Sequence, residues 1–328
     1  MPIKKRILSG IRPTGKLHLG HLVGTLDNWI KLQKEYECYF MVADWHALMG
    51  EYEDSKAMSE YVIDNVIDWI SFGIDPEKAT LFVQSEVSAH LDLFMIFSCL
   101  TPLGWLERCP TYKEQLREVK TRDLHTYGFL GYPVLQAADI LVYKADKVPV
   151  GEDQLPHLEL TREIARRFNA LYKNQVLPEP DAILTRTSRL LGLDNRKMSK
   201  SYNNTINLSD SEEVVRKKVA AMITDPKRIK LADKGHPKIC NVNAYYAIFV
   251  PEMKEEVDNW CRNAKLGCIE CKNKFAAKLA EKLAPYHQKR EELSKDSDKI
   301  RDILRDGKIK ASAVANETLE EIKAAMGL

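Results

Sequence analysis

Along the first half of the chain, short apolar runs alternate with stretches whose apolar residues recur every three to four positions. Residues 6–9, 38–43 and 80–84 are runs of strand length bounded by polar residues, and such runs are read as buried strands. Between them, 22–33 and 58–70 carry a helical period. Strands alternating with helices predict a parallel, doubly wound sheet.

The pattern breaks over 100–123, where Pro102, Gly104 and Pro110 interrupt it, and this passage is expected to be an insertion between two halves of the sheet. It resumes over 134–143, with a short strand at 148–150 and a helix opening near Glu152. Two prolines in 177–180 mark a loop too short to link domains. After Leu193 the strand signal fades, and 212–222, 241–249, 274–283 and a charged stretch over 290–326 read as helices. The expected fold class is α/β. A Rossmann-like doubly wound parallel sheet spans 1–195, a polar loop 196–205, and a smaller, mostly helical C-terminal domain 206–328.

Composition adds limits rather than a function. A chain of 328 residues that is 45% hydrophobic can bury a substantial core. Its 49 basic and 47 acidic residues leave a net charge of +2, so any surface for a polyanion must be a local patch. The start, MPIKKRILSG, meets Gly10 and Arg12-Pro13 before a signal-like apolar stretch accumulates. A cytoplasmic protein with no membrane segment is expected. Seven cysteines, an odd number, favour free thiols or metal ligands over a disulfide framework.

Two segments carry phosphate chemistry. Directly after the first predicted strand comes Pro13-Thr14-Gly15-Lys16-Leu17-His18-Leu19-Gly20-His21, leading into an amphipathic helix. A helix start offers unpaired N–H groups to a polyphosphate, imidazoles there add donors, and Gly20 leaves room for a flat base. The plainer reading is two histidines on one face of a surface helix. Far downstream stands Lys197-Met198-Ser199-Lys200-Ser201, followed by Tyr202-Asn203-Asn204. Two mobile ammonium groups there can reach a phosphate chain, and the plainer reading is a solvated charge run.

Together the segments resemble the two signatures of the class I aminoacyl-tRNA synthetases: HLGH looks like their HIGH signature, and KMSKS matches letter for letter. The resemblance implies a catalytic domain over 1–195 in which an amino-acid carboxylate attacks the α-phosphorus of ATP, supplied with Mg2+, to give an aminoacyl-adenylate and pyrophosphate. It implies catalytic roles for His18, His21, Lys197 and Lys200. Arg12, Thr14, Gly20, Gly151, Asp153, Met198, Ser199 and Ser201 complete the expected ATP site, with Asp153 on the ribose hydroxyls.

Between the signatures, Tyr132-Pro133-Val134-Leu135-Gln136-Ala137-Ala138-Asp139 and Val148-Pro149-Val150-Gly151-Glu152-Asp153-Gln154 resemble the tryptophanyl and tyrosyl subclass, the tryptophanyl enzymes most. Tyr132, Gln136 and Asp139 are spaced four and three apart, so a helix puts them on one face amid apolar neighbours. A ligand or a salt-linked Asp explains such a face. By resemblance, Asp139 accepts the indole N–H, Tyr132 and Gln154 hold the α-amino group, Val148 and Val150 contact the ring, and Leu8 and His46 border the pocket. Gln136 also fits tyrosyl-type pockets, which keeps tyrosine as the alternative substrate. The expected activity is ligation of L-tryptophan to tRNA(Trp) by a homodimer. An adenylate-free sensor of tryptophan or RNA, or a nucleotidylyltransferase, accounts for fewer of the motifs.

Cys240, Cys261, Cys268 and Cys271 form C-x20-C-x6-C-x2-C, enough thiolates for tetrahedral zinc or an iron-sulfur cluster. The spacing resembles a subset of bacterial tryptophanyl enzymes whose C-x22-C-x6-C-x2-C motif binds a 4Fe-4S cluster, with the first interval two residues shorter here. That resemblance implies a 4Fe-4S cluster, with Zn2+ as alternative, in a tRNA-binding domain over 206–328. Nearby Lys265, Lys272, Lys274 and Lys278, with Arg216, Lys217, Lys218, Lys227, Arg228 and Lys230, can contact RNA phosphate or simply face solvent.

Overall fold

The computed structural model describes residues 4–119, 123–184 and 190–328. Five strands form one parallel sheet in the order β3-β2-β1-β4-β5: β1 Arg6–Ile11, β2 Glu37–Val42, β3 Ala79–Val83, β4 Lys147–Val150 and β5 Asp181–Leu184. The first four lie within a few residues of the runs that predicted them. Strand β5 has no such signal: it is four residues long, opens with an aspartate, and none of its residues is fully buried. It follows the expected 177–180 loop and adds to β4 in parallel register, Lys147 opposite Asp181.

Strand order reverses between β1, which pairs with β2, and β4, which pairs with β1 on its other side. In an open α/β sheet the crevice beyond the carboxyl ends of such a pair is where ligands bind. Beyond β1 run Arg12, Pro13, Thr14 and Gly15, and beyond β4 run Gly151 and the turn Glu152–Gln154. Leu8, Val148 and Val150 belong to the buried core cluster that also takes Val134, Ala137 and Ala138.

The expected insertion contains two short helices, Leu103–Glu107 and Pro110–Glu118, while its residues 120–122 lie outside the described residues. The chain divides into two compact units. One comprises 1–15, 27–186 and 293–328, the other 16–26 and 187–292. The HLGH segment groups with the later unit, and the last helix, Ser297–Met326, groups with the sheet. That helix buries Ile300, Leu304, Ala311, Ala315, Leu319 and Ile322. Gly307 lies so close to β3 that a Cβ there would stand 1.7 Å from the Leu81 carbonyl oxygen. Its charged composition reflects the outer face only, and its small residues let it close on the sheet edge.

Candidate active site

Asp139 sits on the Tyr127–Val142 helix, 2% exposed, and side chains from three other segments converge on its carboxylate. Gln84, just past β3, donates through Nε2 to both oxygens at 2.8 and 2.9 Å. His90 Nδ1 lies 2.7 Å from Oδ1, and His46 Nε2 lies 2.8 Å from Oδ2. His90 reaches the Tyr143 hydroxyl through Nε2 at 2.9 Å. Burial alone would raise the Asp139 pKa, but hydrogen bonds to His46 and His90, reinforced by their charge, hold it below the ordinary value. The group is therefore a carboxylate, an acceptor for an N–H donor. His46 is the one partner of the three with an incompletely covered side chain, 13% exposed.

Tyr132, two helical turns away on the same face, bonds His157 Nε2 through its hydroxyl at 3.1 Å, and His157 Nδ1 lies 3.4 Å from Cys109 Sγ. Burial lowers His157 to about 4, so its imidazole is neutral at pH 7 and bridges the other two groups. Gln136 is half-buried on this face. Gln154 turns its amide to Asp153 Oδ2 at 3.1 Å, and Asp153 is exposed. Arg12, also exposed, lowers the Tyr132 hydroxyl pKa while burial raises it more. Gln84, His90, Tyr143, His157 and Cys109 were not singled out from the sequence. The available hint is polarity: Gln84 and His90 are fully buried between apolar segments, and such groups need partners.

In the other unit, His18 caps the three-residue turn Leu19–His21. His18 Nδ1 accepts from Gly20 N–H at 3.1 Å, and His21 Nδ1 accepts from His18 N–H at 3.2 Å. Since both Nδ1 atoms accept, each ring carries its hydrogen on Nε2, where it can serve as a donor. Burial, helped by Lys200, lowers His18 to about 4, so it donates as a neutral imidazole. Leu19 N–H donates to Ile206 O at 3.0 Å and Leu208 N–H to Leu17 O at 2.8 Å, pinning the histidines to the segment after the lysine loop. Met198 is 6% exposed, its Sδ 3.6 Å from where a Gly20 Cβ would stand. Lys197 is exposed, Ser199 and Lys200 are half-buried, and the Ser201 side chain lies outside the described residues. The predicted helix over 22–33 begins as a π-helical segment, Leu22–Leu26.

Cys240, Cys261, Cys268 and Cys271 all line one small pocket, together with Arg228, Trp260 and Leu266. Burial raises the pKa of Cys240, Cys261 and Cys271, the last to about 12. Among the described residues, no three His, Cys, Asp or Glu side chains are set to hold a single metal ion. Several of the predicted RNA-facing cations are engaged internally: Arg216 with Glu212, Lys218 with Asp210, Lys272 with Ala220 O, Lys274 with Glu270, and Lys278 with Glu281.

A five-stranded parallel sheet with its switch between β1 and β4, and paired histidines pinned beside a lysine loop, define the class. The family model described as tRNA synthetases class I (W and Y) matches residues 4–284, and the chain belongs to that family. It is 50% identical to the tryptophan–tRNA ligase of Thermotoga maritima, covering 98% of this chain and 99% of that one. It is 42% identical to that of Aquifex aeolicus, covering 98% and 100%. The crystal structure of tryptophanyl-tRNA synthetase from Campylobacter jejuni complexed with ADP and tryptophan matches with a TM-score of 0.89 at 30% identity, over 98% of this chain and 100% of that one. The activity is tryptophan–tRNA ligation, with tryptophan, ATP and tRNA as substrates. Tyrosine was the alternative from sequence, and the curated relatives named above are tryptophan–tRNA ligases. Among the described residues no helix is long and apolar enough to cross a membrane.

Proposed function

We propose that the ligation runs through an adenylate built by two sets of residues. The amino-acid carboxylate attacks the α-phosphorus of ATP and pyrophosphate leaves, after which a ribose hydroxyl at the tRNA terminus attacks the acyl carbon and releases AMP. No covalent enzyme intermediate is required. The Nε2–H donors of His18 and His21 meet charge developing on the phosphoryl oxygens, while Lys197 and Lys200 stabilise the leaving pyrophosphate. Mg2+ accompanies the nucleotide. Arg12, Thr14, Gly20, Gly151, Asp153, Met198, Ser199 and Ser201 make up the rest of the nucleotide site. The pair of Nδ1 acceptors at His18 and His21, which fixes both donors, carries this reading.

Asp139 accepts the indole N–H, its Oδ2 exchanging His46 for the ligand. Tyr132 and Gln154 hold the α-amino group, Gln136 completes the polar face, and Leu8, Val148 and Val150 bound the ring. A ligand without that N–H would strip a buried carboxylate of a partner, costing about 1–3 kcal/mol. Pyrophosphate exchange with tryptophan tests the assignment: Lys200→Ala and Asp139→Asn variants with unchanged exchange would remove both roles.

For the four cysteines the proposed ligand is a 4Fe-4S cluster, with Zn2+ as the alternative, because all four thiols line one pocket and thiolates are the ligands such clusters take. Cys240, Cys261, Cys268 and Cys271 would hold it, and when bound it would supply a one-electron centre or a structural crosslink. Anaerobically purified protein containing iron and sulfide, with visible absorbance, supports this; colourless protein carrying zinc overturns it. Lys217, Lys227, Lys230 and Lys265 beside that region are proposed tRNA phosphate contacts, alongside the partly engaged Arg216, Lys218, Arg228, Lys272, Lys274 and Lys278. A cytoplasmic homodimer completes the reading. Leu91 and Met95, one turn apart on the Ala89–Leu100 helix and exposed by 38 and 64%, give it an apolar patch, and sedimentation as a monomer would overturn it.

A further inference from the structure

One buried amide organises the lysine loop. Asn204 is 2% exposed. Its Oδ1 accepts from Ser199 N–H at 2.9 Å, and its Nδ2 donates to Lys197 O at 3.1 Å and to Asp194 Oδ1 at 2.7 Å. Its own carbonyl accepts from Leu193 N–H at 3.0 Å. The carboxamide therefore ties the backbone on both sides of Met198 to the turn that precedes the loop. Only an amide supplies donors and an acceptor from one short planar group: an aspartate would offer Lys197 O nothing and would face the Asp194 carboxylate.

The slot that receives the amide is equally specific. A Cβ on Gly192 would stand 2.2 Å from Asn204 Nδ2. Gly192 cannot retreat, because its N–H donates to Arg196 O at 2.7 Å and its carbonyl accepts from Asn241 Nδ2 at 2.7 Å. Arg196 extends the same turn, pairing with Asp194 at 2.6 Å and lying 4.4 Å over the Tyr202 ring. Neither Asn204 nor Gly192 belongs to the motif, yet both fix the backbone that carries it.

We infer that Asn204, seated against Gly192, is a positioning residue for adenylate formation, holding the 197–200 backbone so that Lys197 and Lys200 meet the pyrophosphate as it leaves. This rests on the role proposed above for those lysines. A lysine has a long flexible stem, so releasing its backbone adds freedom that must be lost again in the transition state.

The test is tryptophan-dependent pyrophosphate exchange by the full-length enzyme, with tryptophan binding measured separately by calorimetry. Asn204→Ala should lower kcat about 10²-fold and leave tryptophan affinity within about twofold. Asn204→Asp should do no better, although it keeps the shape, and Gly192→Ala should give the same kinetic signature by a different route. In a Lys200→Ala background, Asn204→Ala should add only a small further loss, because the amide acts through the lysine. Undiminished kcat in Asn204→Ala, a fully multiplicative loss in the double variant, or a parallel loss of tryptophan binding in both Asn204→Asp and Gly192→Ala would each overturn the inference. If Lys200→Ala and Lys197→Ala themselves leave exchange unchanged, the lysine role fails first. If they reduce it and Asn204→Ala does not, only the inference about Asn204 fails.

Discussion

Asp139 is held by side chains from distant parts of the chain, whereas the histidine and lysine signatures are held mostly by backbone. Gln84, His90 and His46 reach the carboxylate from three separate segments. The signatures instead hang on Leu19 N–H to Ile206 O, Leu208 N–H to Leu17 O, and the amide of Asn204. A buried carboxylate with fixed partners is suited to ground-state selection, since any ligand must match an acceptor already in place. Half-buried and exposed lysines on a loop are suited to charge that exists only in the transition state. The difference predicts that substitutions in the two regions will separate binding from rate.

The largest effect should come from Lys200→Ala, with exchange slowed about 10³-fold, about 4 kcal/mol, by analogy with removal of one preorganised electrostatic group, and tryptophan binding nearly unchanged. Calorimetry on the same preparation checks the second half. A matching loss of tryptophan affinity would erase the distinction between the regions.

Next comes pH. Burial holds His157 at about 4, against 6.5 for an ordinary histidine. Between those values the unfolded chain takes up a proton that the native imidazole refuses. Its contribution is therefore fully present above 6.5, falls as pH drops toward 4, and amounts to about 3 kcal/mol. His18 has the same sign and window in the other region. Asp139, whose pKa is lowered, loses its stabilising contribution further down, as pH falls through its folded value below 3.8. Denaturant midpoints from pH 7 to 4 should flatten in His157→Gln, and an unchanged slope would mean that the ring is already hydrated.

Asp139→Asn should weaken tryptophan binding by about 2 kcal/mol, roughly thirtyfold, because an amide must aim a donor at Gln84 or at the imidazoles. A kcat loss exceeding the affinity loss would move Asp139 into the class of Lys200.

The same contrast explains how much could be read from sequence. HLGH and KMSKS are contiguous, and four strands are apolar runs, so motif and periodicity reach them directly. Asp139 was visible because it interrupts an apolar helix. His90 interrupts one too, but lies 49 residues away from Asp139, and nothing local says what it faces. Strand β5 is too short and exposed to carry a pattern, and the last helix hides its sheet-facing side among charges, with Gly307 legible only once Leu81 stands beside it.

The smallest predicted effect concerns Met198, the apolar residue inside a lysine loop. It is buried near Gly20, so its thioether packs between the two signatures and carries no charge to the leaving group. Met198→Leu conserves volume and should cost less than about 1 kcal/mol in stability, with exchange within a few-fold of the parent. Met198→Ala, which opens a void, should cost about 2 kcal/mol or more and should raise KM for ATP as the histidine turn and the loop lose their shared filler. If leucine proved as damaging as alanine, sulfur itself would matter, and the loop would be held by more than backbone and shape.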